Sequence, residues 1–155
     1  MNTTVVVRRG GAADRSFVLD LGVRTAPSSV SPLRVARYAD VVDSFERLAE
    51  FVFGRRHEIL IAEESGAPAG FLLLLYDVPD EVTGTEQAFI AYTAVEPAAR
   101  RRGAARALLE AAEAHARRDG IGYVSLMVTD DNAAARGLYE RAGYITERRM
   151  MTKAL

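Results

Sequence analysis

The longest apolar run in the chain contains Gly70-Phe71-Leu72-Leu73-Leu74-Leu75-Tyr76. The run is far short of the ~20 residues that cross a bilayer. It fits a buried strand, apolar throughout rather than alternating. Such a strand needs cover on both sides, and the apolar spacing elsewhere supplies it.

Thr3 to Arg9 is short and β-branched and stops at Gly10-Gly11, which predicts a strand. Ala12 to Arg24, with Phe17 and Leu21, reads as a helix. Thr25 to Pro32 is linker-like but too short to divide domains. From Leu33 to Phe53, Val41, Phe45, Leu48 and Val52 recur at helical spacing, and Gly54 stops the pattern. His57–Glu63 and Gly70–Tyr76 predict a hairpin, joined by Glu64-Ser65-Gly66-Ala67-Pro68. Residues 77–85 form a loop, and Gln87 to Val95 a third strand of this set that Pro97 closes. Ala104 to Arg118 is the clearest helix, with Ala105, Leu108, Leu109, Ala112 and Ala116 on one stripe. Tyr123–Val128 is a strand, Asn132 caps a helix running to Gly143, and Tyr144–Thr152 is a last, half-polar strand. The order β-α-α-β-β-β-α-β-α-β has no internal repeat and suggests an α/β (α+β) mixed sheet flanked by helices.

The 155 residues predict a single domain over 1–155 with room for a real core. Hydrophobic residues at 49% and charged residues at 26% exclude disorder. Zero cysteine excludes a disulfide scaffold, thiolate metal sites and a cysteine nucleophile. Two histidines exclude a three-His centre, and no metal is expected. A net charge of −1 argues against nucleic acid or membrane as partners. No basic segment precedes a long apolar stretch at the N-terminus, so the expectation is a cytoplasmic protein without a secretory signal. One asymmetry remains. Lys153 is the only lysine, while Arg100, Arg101 and Arg102 are consecutive.

Those arginines follow the end of a strand and precede Gly103 and a helix. The first amides of a helix lack internal partners and carry the positive end of its dipole. Gly103, Ala104 and Ala105 keep the approach to them open, so a phosphate fits there, with Arg101 and Arg102 adding charge. The plainer alternatives are a solvated arginine face or a nucleic-acid patch. Downstream, the segment from Asn132 to Tyr144 reads as a capped amphipathic helix that Gly143 ends.

Together these segments resemble a known family. Arg100-x-x-Gly103-x-Ala105, with Val95-x-Pro97 ahead of it, is similar to the pyrophosphate-binding loop of the GCN5-related N-acetyltransferases, the GNAT superfamily. Asn132-x-x-Ala135-x-x-Leu138-Tyr139-x-x-x-Gly143-Tyr144 resembles a second motif of that family, in the same order and spacing. Ala62 to Phe71 is a weaker echo of its central hairpin. The resemblance implies a mixed, mostly antiparallel sheet of about six to seven strands flanked by about four helices, with a splayed strand pair forming an acetyl-CoA cleft.

It also implies direct attack of an amine on the thioester of acetyl-CoA, in keeping with the lack of cysteine. The backbone of Thr93, Ala94 and Val95 would position and polarise the thioester carbonyl. Arg100, Arg101, Arg102, Gly103, Ala104, Ala105 and Arg106, with Asn132 and Tyr139, complete the implied acetyl-CoA contacts. Tyr139 would be the catalytic acid for the departing thiolate, since a phenol of pKa about 10 keeps its proton at pH 7. An alkyl ammonium resists deprotonation by about 4–5 kcal/mol at neutral pH, an α-amino group by only about 1 kcal/mol. The base is open among Glu86, Tyr92, Glu58 and water. Related ribosomal-protein acetyltransferases carry a glutamate where Met127 stands here. The implied acceptor is a primary amine of a small molecule or peptide, with Ala12 to Gly54 forming much of its wall. A non-catalytic acyl-CoA-binding sensor is the alternative. The Tyr144–Thr152 strand is an edge open to a second subunit, which makes a homodimer an option.

Overall fold

The computed structural model describes residues 4–155, so Thr3 of the first expected strand lies outside the described residues. The strands are β1 (Val5–Arg9), β2 (His57–Glu64), β3 (Ala67–Leu75), β4 (Ala88–Val95) and β5 (Val124–Leu126). The α-helices are α1 (Arg15–Thr25), α2 (Tyr38–Phe53), α3 (Ala104–Arg118) and α4 (Ala133–Arg141). The sheet order is β1-β2-β3-β4-β5. Its first three pairings are antiparallel, and β5 joins β4 in parallel.

The apolar run of β3 is explained by cover on both faces. Leu72 and Leu74 join Leu60, Leu108, Leu109 and Ala112 beneath α3. Phe71, Leu73 and Leu75 join Ile59, Ile61, Val18, Leu21, Phe45 and Val52 beneath α1 and α2. Each such fully buried side chain contributes roughly 1.5–3 kcal/mol of hydrophobic stabilisation. The α1–α2 contact depends on Gly22, where a Cβ would fall 1.9 Å from Phe45 Cζ.

Three expectations differ from the fold. The hairpin connection is two residues rather than five. Ser65 and Gly66, at φ +54° and +79°, make the left-handed pair that matches strand twist, and Glu64 pairs with Ala67. Helix α2 starts at Tyr38 rather than Leu33, because Leu33 and Val35 are exposed and offer no core contact. Among the described residues the sheet has five strands rather than six to seven, and Tyr144–Thr152 is not a strand. That segment makes no ladder hydrogen bond with a described strand, and its Ile145, Met150 and Met151 side chains are exposed.

Candidate active site

The site begins with an irregularity in β4. Leu73 pairs with Tyr92 but Leu74 pairs with Ile90, so Ala91 is an extra residue in the ladder. This bulge places Ala91 and Tyr92 together on the α1–α2 face, whereas Ile90 and Val95 pack toward α3. A bulge bends a strand and ends regular pairing. The β4–β5 ladder accordingly runs only from Ala88↔Val124 to Ile90↔Leu126. Beyond it, Tyr92 to Val95 remain paired with β3 but meet no described strand on the other side. Alternate backbone groups there point away from β3. The Thr93 hydroxyl donates to the Phe71 carbonyl (3.0 Å), and Ala94 is buried. Gly70 admits this close course, since a Cβ there would lie 2.9 Å from the Ala94 carbonyl oxygen.

The chain leaves β4 through a 3-10 turn at Pro97–Ala99 and enters α3 through Arg100–Gly103. Arg101 has φ +65° and Gly103 φ +90°. The first helical bond is Ala107 N–H to Gly103 C=O (2.9 Å). The amides of residues 101–106 find no acceptor among the described residues. They are donors held in place by a left-handed loop at the positive end of a helix dipole. Arg100 Nε donates back to the Val95 carbonyl (3.3 Å), which ties the loop to the open end of β4. Arg102 bonds Glu64 Oε1 (2.8 Å), and Arg106 bonds Glu110 (2.8 Å). Of the three consecutive arginines, two are therefore engaged. The Arg101 side chain has no ion pair or hydrogen bond among the described residues.

The structure thus brings Thr93, Ala94, Val95 and Arg100 to Arg106 to one end of the sheet. Asn132 stands just before α4 and Tyr139 lies on it, and the helix has no buried residue. The Asn132 side chain accepts from Ala135 N–H (3.2 Å), so it caps the helix. Tyr139 packs on the α3-side core beside Tyr144, with ring centroids 5.9 Å apart. Burial raises the Tyr139 phenol above its ordinary pKa.

The expected bases separate by position. Glu58 is paired with Arg9 and lies near Tyr76, His115 and Asp119, at the far end of α3. A helix of 15 residues puts that end about 22 Å from the arginine loop. Glu86 is exposed at the start of β4, lining a pocket of ≈ 150 Å³ with Asp80, Tyr123 and Glu147. Tyr92 sits on the open stretch itself, stacked on Phe71 at 5.9 Å and 3.0 Å from Thr25 Oγ1. Thr25 donates its proton to the Leu21 carbonyl (2.8 Å), so the Tyr92 hydroxyl donates to Thr25 and keeps its lone pairs free.

Local sequence carried no sign of Glu64, Thr25 or Glu96. Glu96 holds Arg24 at 2.6 Å and fixes the end of α1 to the end of β4 across 72 positions. Glu64 and Glu96 also line a pocket of ≈ 290 Å³ beside the loop, but both are already paired with arginine.

The model of the Acetyltransferase (GNAT) family matches residues 29–144, three quarters of the chain. The chain belongs to the GNAT acetyltransferase family. It is 38% identical over 86 residues to the uncharacterised N-acetyltransferase YhfO of Bacillus subtilis strain 168. That alignment covers 56% of this chain and 57% of YhfO, so the chain spans little more than half of that curated relative. A Pyrococcus furiosus chain assigned as an acetyl transferase superposes with TM-score 0.83 at 25% identity, covering 98% of this chain and 100% of that one. A Clostridium acetobutylicum chain, assigned as an acetyltransferase and solved with acetyl-CoA, gives 0.66 at 16% identity, covering 97% and 96%. The GNAT match spans the open stretch of β4, the arginine loop and α4 together, and it leaves α1 outside.

Proposed function

We propose that this chain is an acetyl-CoA-dependent N-acetyltransferase acting on a primary amine of a small molecule or peptide. The observation that carries the reading is the run of unpartnered amides at 101–106, set beside the open stretch of β4. Six fixed donors and the free Arg101 suit a pyrophosphate in number and charge. The superposition on a chain solved with acetyl-CoA supports the same choice of ligand. Acetyl-CoA supplies an activated acetyl group as a thioester.

The chain's residues then divide the work. The amides of 101–106 and Arg101 bind the pyrophosphate. Backbone groups of Thr93 to Val95 that point away from β3 orient the thioester and polarise its carbonyl. Tyr139 holds a proton on its hydroxyl at neutral pH, and burial strengthens that hold. It is placed in this proposal to protonate the departing thiolate. Tyr92 keeps free lone pairs on the open stretch and receives an N–H of the acceptor, while Thr25 fixes its ring. Glu58 and Glu86 are left out by their positions, so water removes the amine proton. An α-amino group costs only about 1 kcal/mol to deprotonate at neutral pH, which favours peptide or amino-acid amines among the acceptors.

A second reading is a non-catalytic acyl-CoA-binding module, favoured because the carboxylates beside the loop, Glu64 and Glu96, are already paired with arginine. One experiment separates the two. Thiol release from acetyl-CoA is measured across amino acids, polyamines, aminoglycosides and peptides, with binding followed by thermal shift. Binding with thiol release supports the enzyme. Binding without release on any amine supports the module, and no binding at millimolar acetyl-CoA removes both.

A further inference from the structure

Two adjacent residues close α1, and each reaches the open stretch of β4. Arg24 forks onto Glu96, its Nη1 donating to Oε2 (3.1 Å) and its Nη2 to Oε1 (2.6 Å). Its Nε and Nη2 also donate to Asp20 one helical turn back, at 3.1 and 2.9 Å, so the guanidinium is aimed before it meets Glu96. The buried Thr25 accepts from the Tyr92 hydroxyl (3.0 Å) and donates to the Leu21 carbonyl. The two grips are four residues apart on β4, roughly 13 Å in an extended strand. Thr93, Ala94 and Val95 lie between them.

That stretch is paired on one side only. Gly70 to Leu73 hold it from β3, and the Glu96 N–H bonds the Ala69 carbonyl (2.8 Å). No described strand holds its other edge. The turn after α1 reaches the opposite side of the gap. Ser28 Oγ donates to the Thr25 carbonyl (2.6 Å), and the Ser29 carbonyl accepts from the Thr129 hydroxyl (2.7 Å) in the connection from β5 to α4. Residues 24–29 therefore bond both sides of the parting between β4 and β5.

We propose that Arg24 and Glu96 are positioning residues for acetyl transfer. With Thr25 they clamp the open stretch from α1, in place of the strand that β4 lacks there, and so hold the backbone that orients the thioester. This rests on the function proposed above. Neither side chain touches the reacting atoms; both act through residues 93–95. A small displacement of the reacting carbonyl costs rate, while the pyrophosphate contacts that bind the cofactor lie outside the clamp.

Steady-state kinetics and amide exchange test this in Arg24→Gln, Glu96→Gln and the double variant, with circular dichroism confirming that each is folded. Arg55→Gln is the control, since its pair with Asp77 is about as exposed but ties the turn after α2 to the end of β3. Each single clamp variant lowers kcat about tenfold, with KM for acetyl-CoA and for the amine within about threefold of the parent. The double variant falls no further, because the same contact is lost either way. Arg55→Gln keeps the parental kcat. Tm moves by less than about 4 °C in all of them, as expected of exposed ion pairs. Exchange reads the clamp without turnover: the Glu96 N–H exchanges about tenfold faster in Arg24→Gln, and the β2–β3 ladder is unchanged. Parental kcat in both single variants, losses that multiply in the double variant, or unchanged Glu96 exchange overturns the proposal. A parent that releases no thiol on any amine refutes the enzymatic reading instead, and the exchange result alone then decides the clamp.

Discussion

Gly103 carries both a structural and a functional burden, and Gly103→Ala separates them. Its φ of +90° lies where only glycine sits without penalty, yet an added Cβ would meet nothing within 4 Å. The cost is therefore backbone strain alone, about 1–2 kcal/mol. For a chain of this size that is a fall of roughly 2–8 °C in Tm. Gly122 is the control, because its Cβ site is also open and its φ is not in the left-handed region. Gly122→Ala is expected within about ±0.5 kcal/mol of the parent. The functional part is read with ligand present. Acetyl-CoA at ~100 times Kd adds about 2.7 kcal/mol, a rise of roughly 5–11 °C. The new methyl enters the space before the amides of 101–106, so Gly103→Ala loses most of that rise while Gly122→Ala keeps it. A Gly103→Ala protein with parental Tm refutes the strain argument. One that is strained but keeps the full acetyl-CoA shift refutes the placement of the pyrophosphate.

Three further outcomes follow from the same geometry. Tyr139→Phe lowers thiol release by about 100-fold while leaving the acetyl-CoA thermal shift in place, and equal rates would remove Tyr139 from the reaction. Arg101→Gly relieves the φ of +65° and removes the unengaged guanidinium, so it weakens acetyl-CoA by about tenfold in calorimetry without loss of stability. Arg102→Ala costs less affinity, because that side chain is already held by Glu64, and the reverse ranking would contradict the assignment. Tyr76 has a buried hydroxyl with no hydrogen-bond partner among the described residues, and burial pushes its pKa up to about 12. Its folded pKa exceeds the unfolded value of about 10, so stability present below pH ~10 declines as pH rises toward 12. Denaturant titrations should show a shallower decline for Tyr76→Phe, with stability at pH 7 equal to or above the parent. A steeper decline would reverse the sign.

Much of the site's outline was legible because its signals are local. The bend after Val95, the glycine before α3 and the small residues that follow are written in adjacent positions. So were the unbroken apolar run of β3 and the helical spacing of α2. The bulge at Ala91 was not legible, since an extra ladder residue is defined only by the strand opposite. Tyr144–Thr152 has the composition of a strand, but composition does not supply a neighbour. Glu58 and Glu86 looked as eligible as Tyr92 for the same reason: distance along the chain does not tell which end of a sheet a residue occupies.

The sequence by itself determined the two-sided cover of the central strand, the family to which its motifs belong, and the donors at the start of α3. These follow from periodicity and from backbone preferences that act within a few residues. Only the tertiary structure decided that β4 and β5 part at Ile90, that Arg102 is held while Arg101 is free, and that Tyr92 gives its proton to Thr25. Those facts depend on hydrogen bonds between residues up to 67 positions apart, and such bonds form only once packing has brought the elements together.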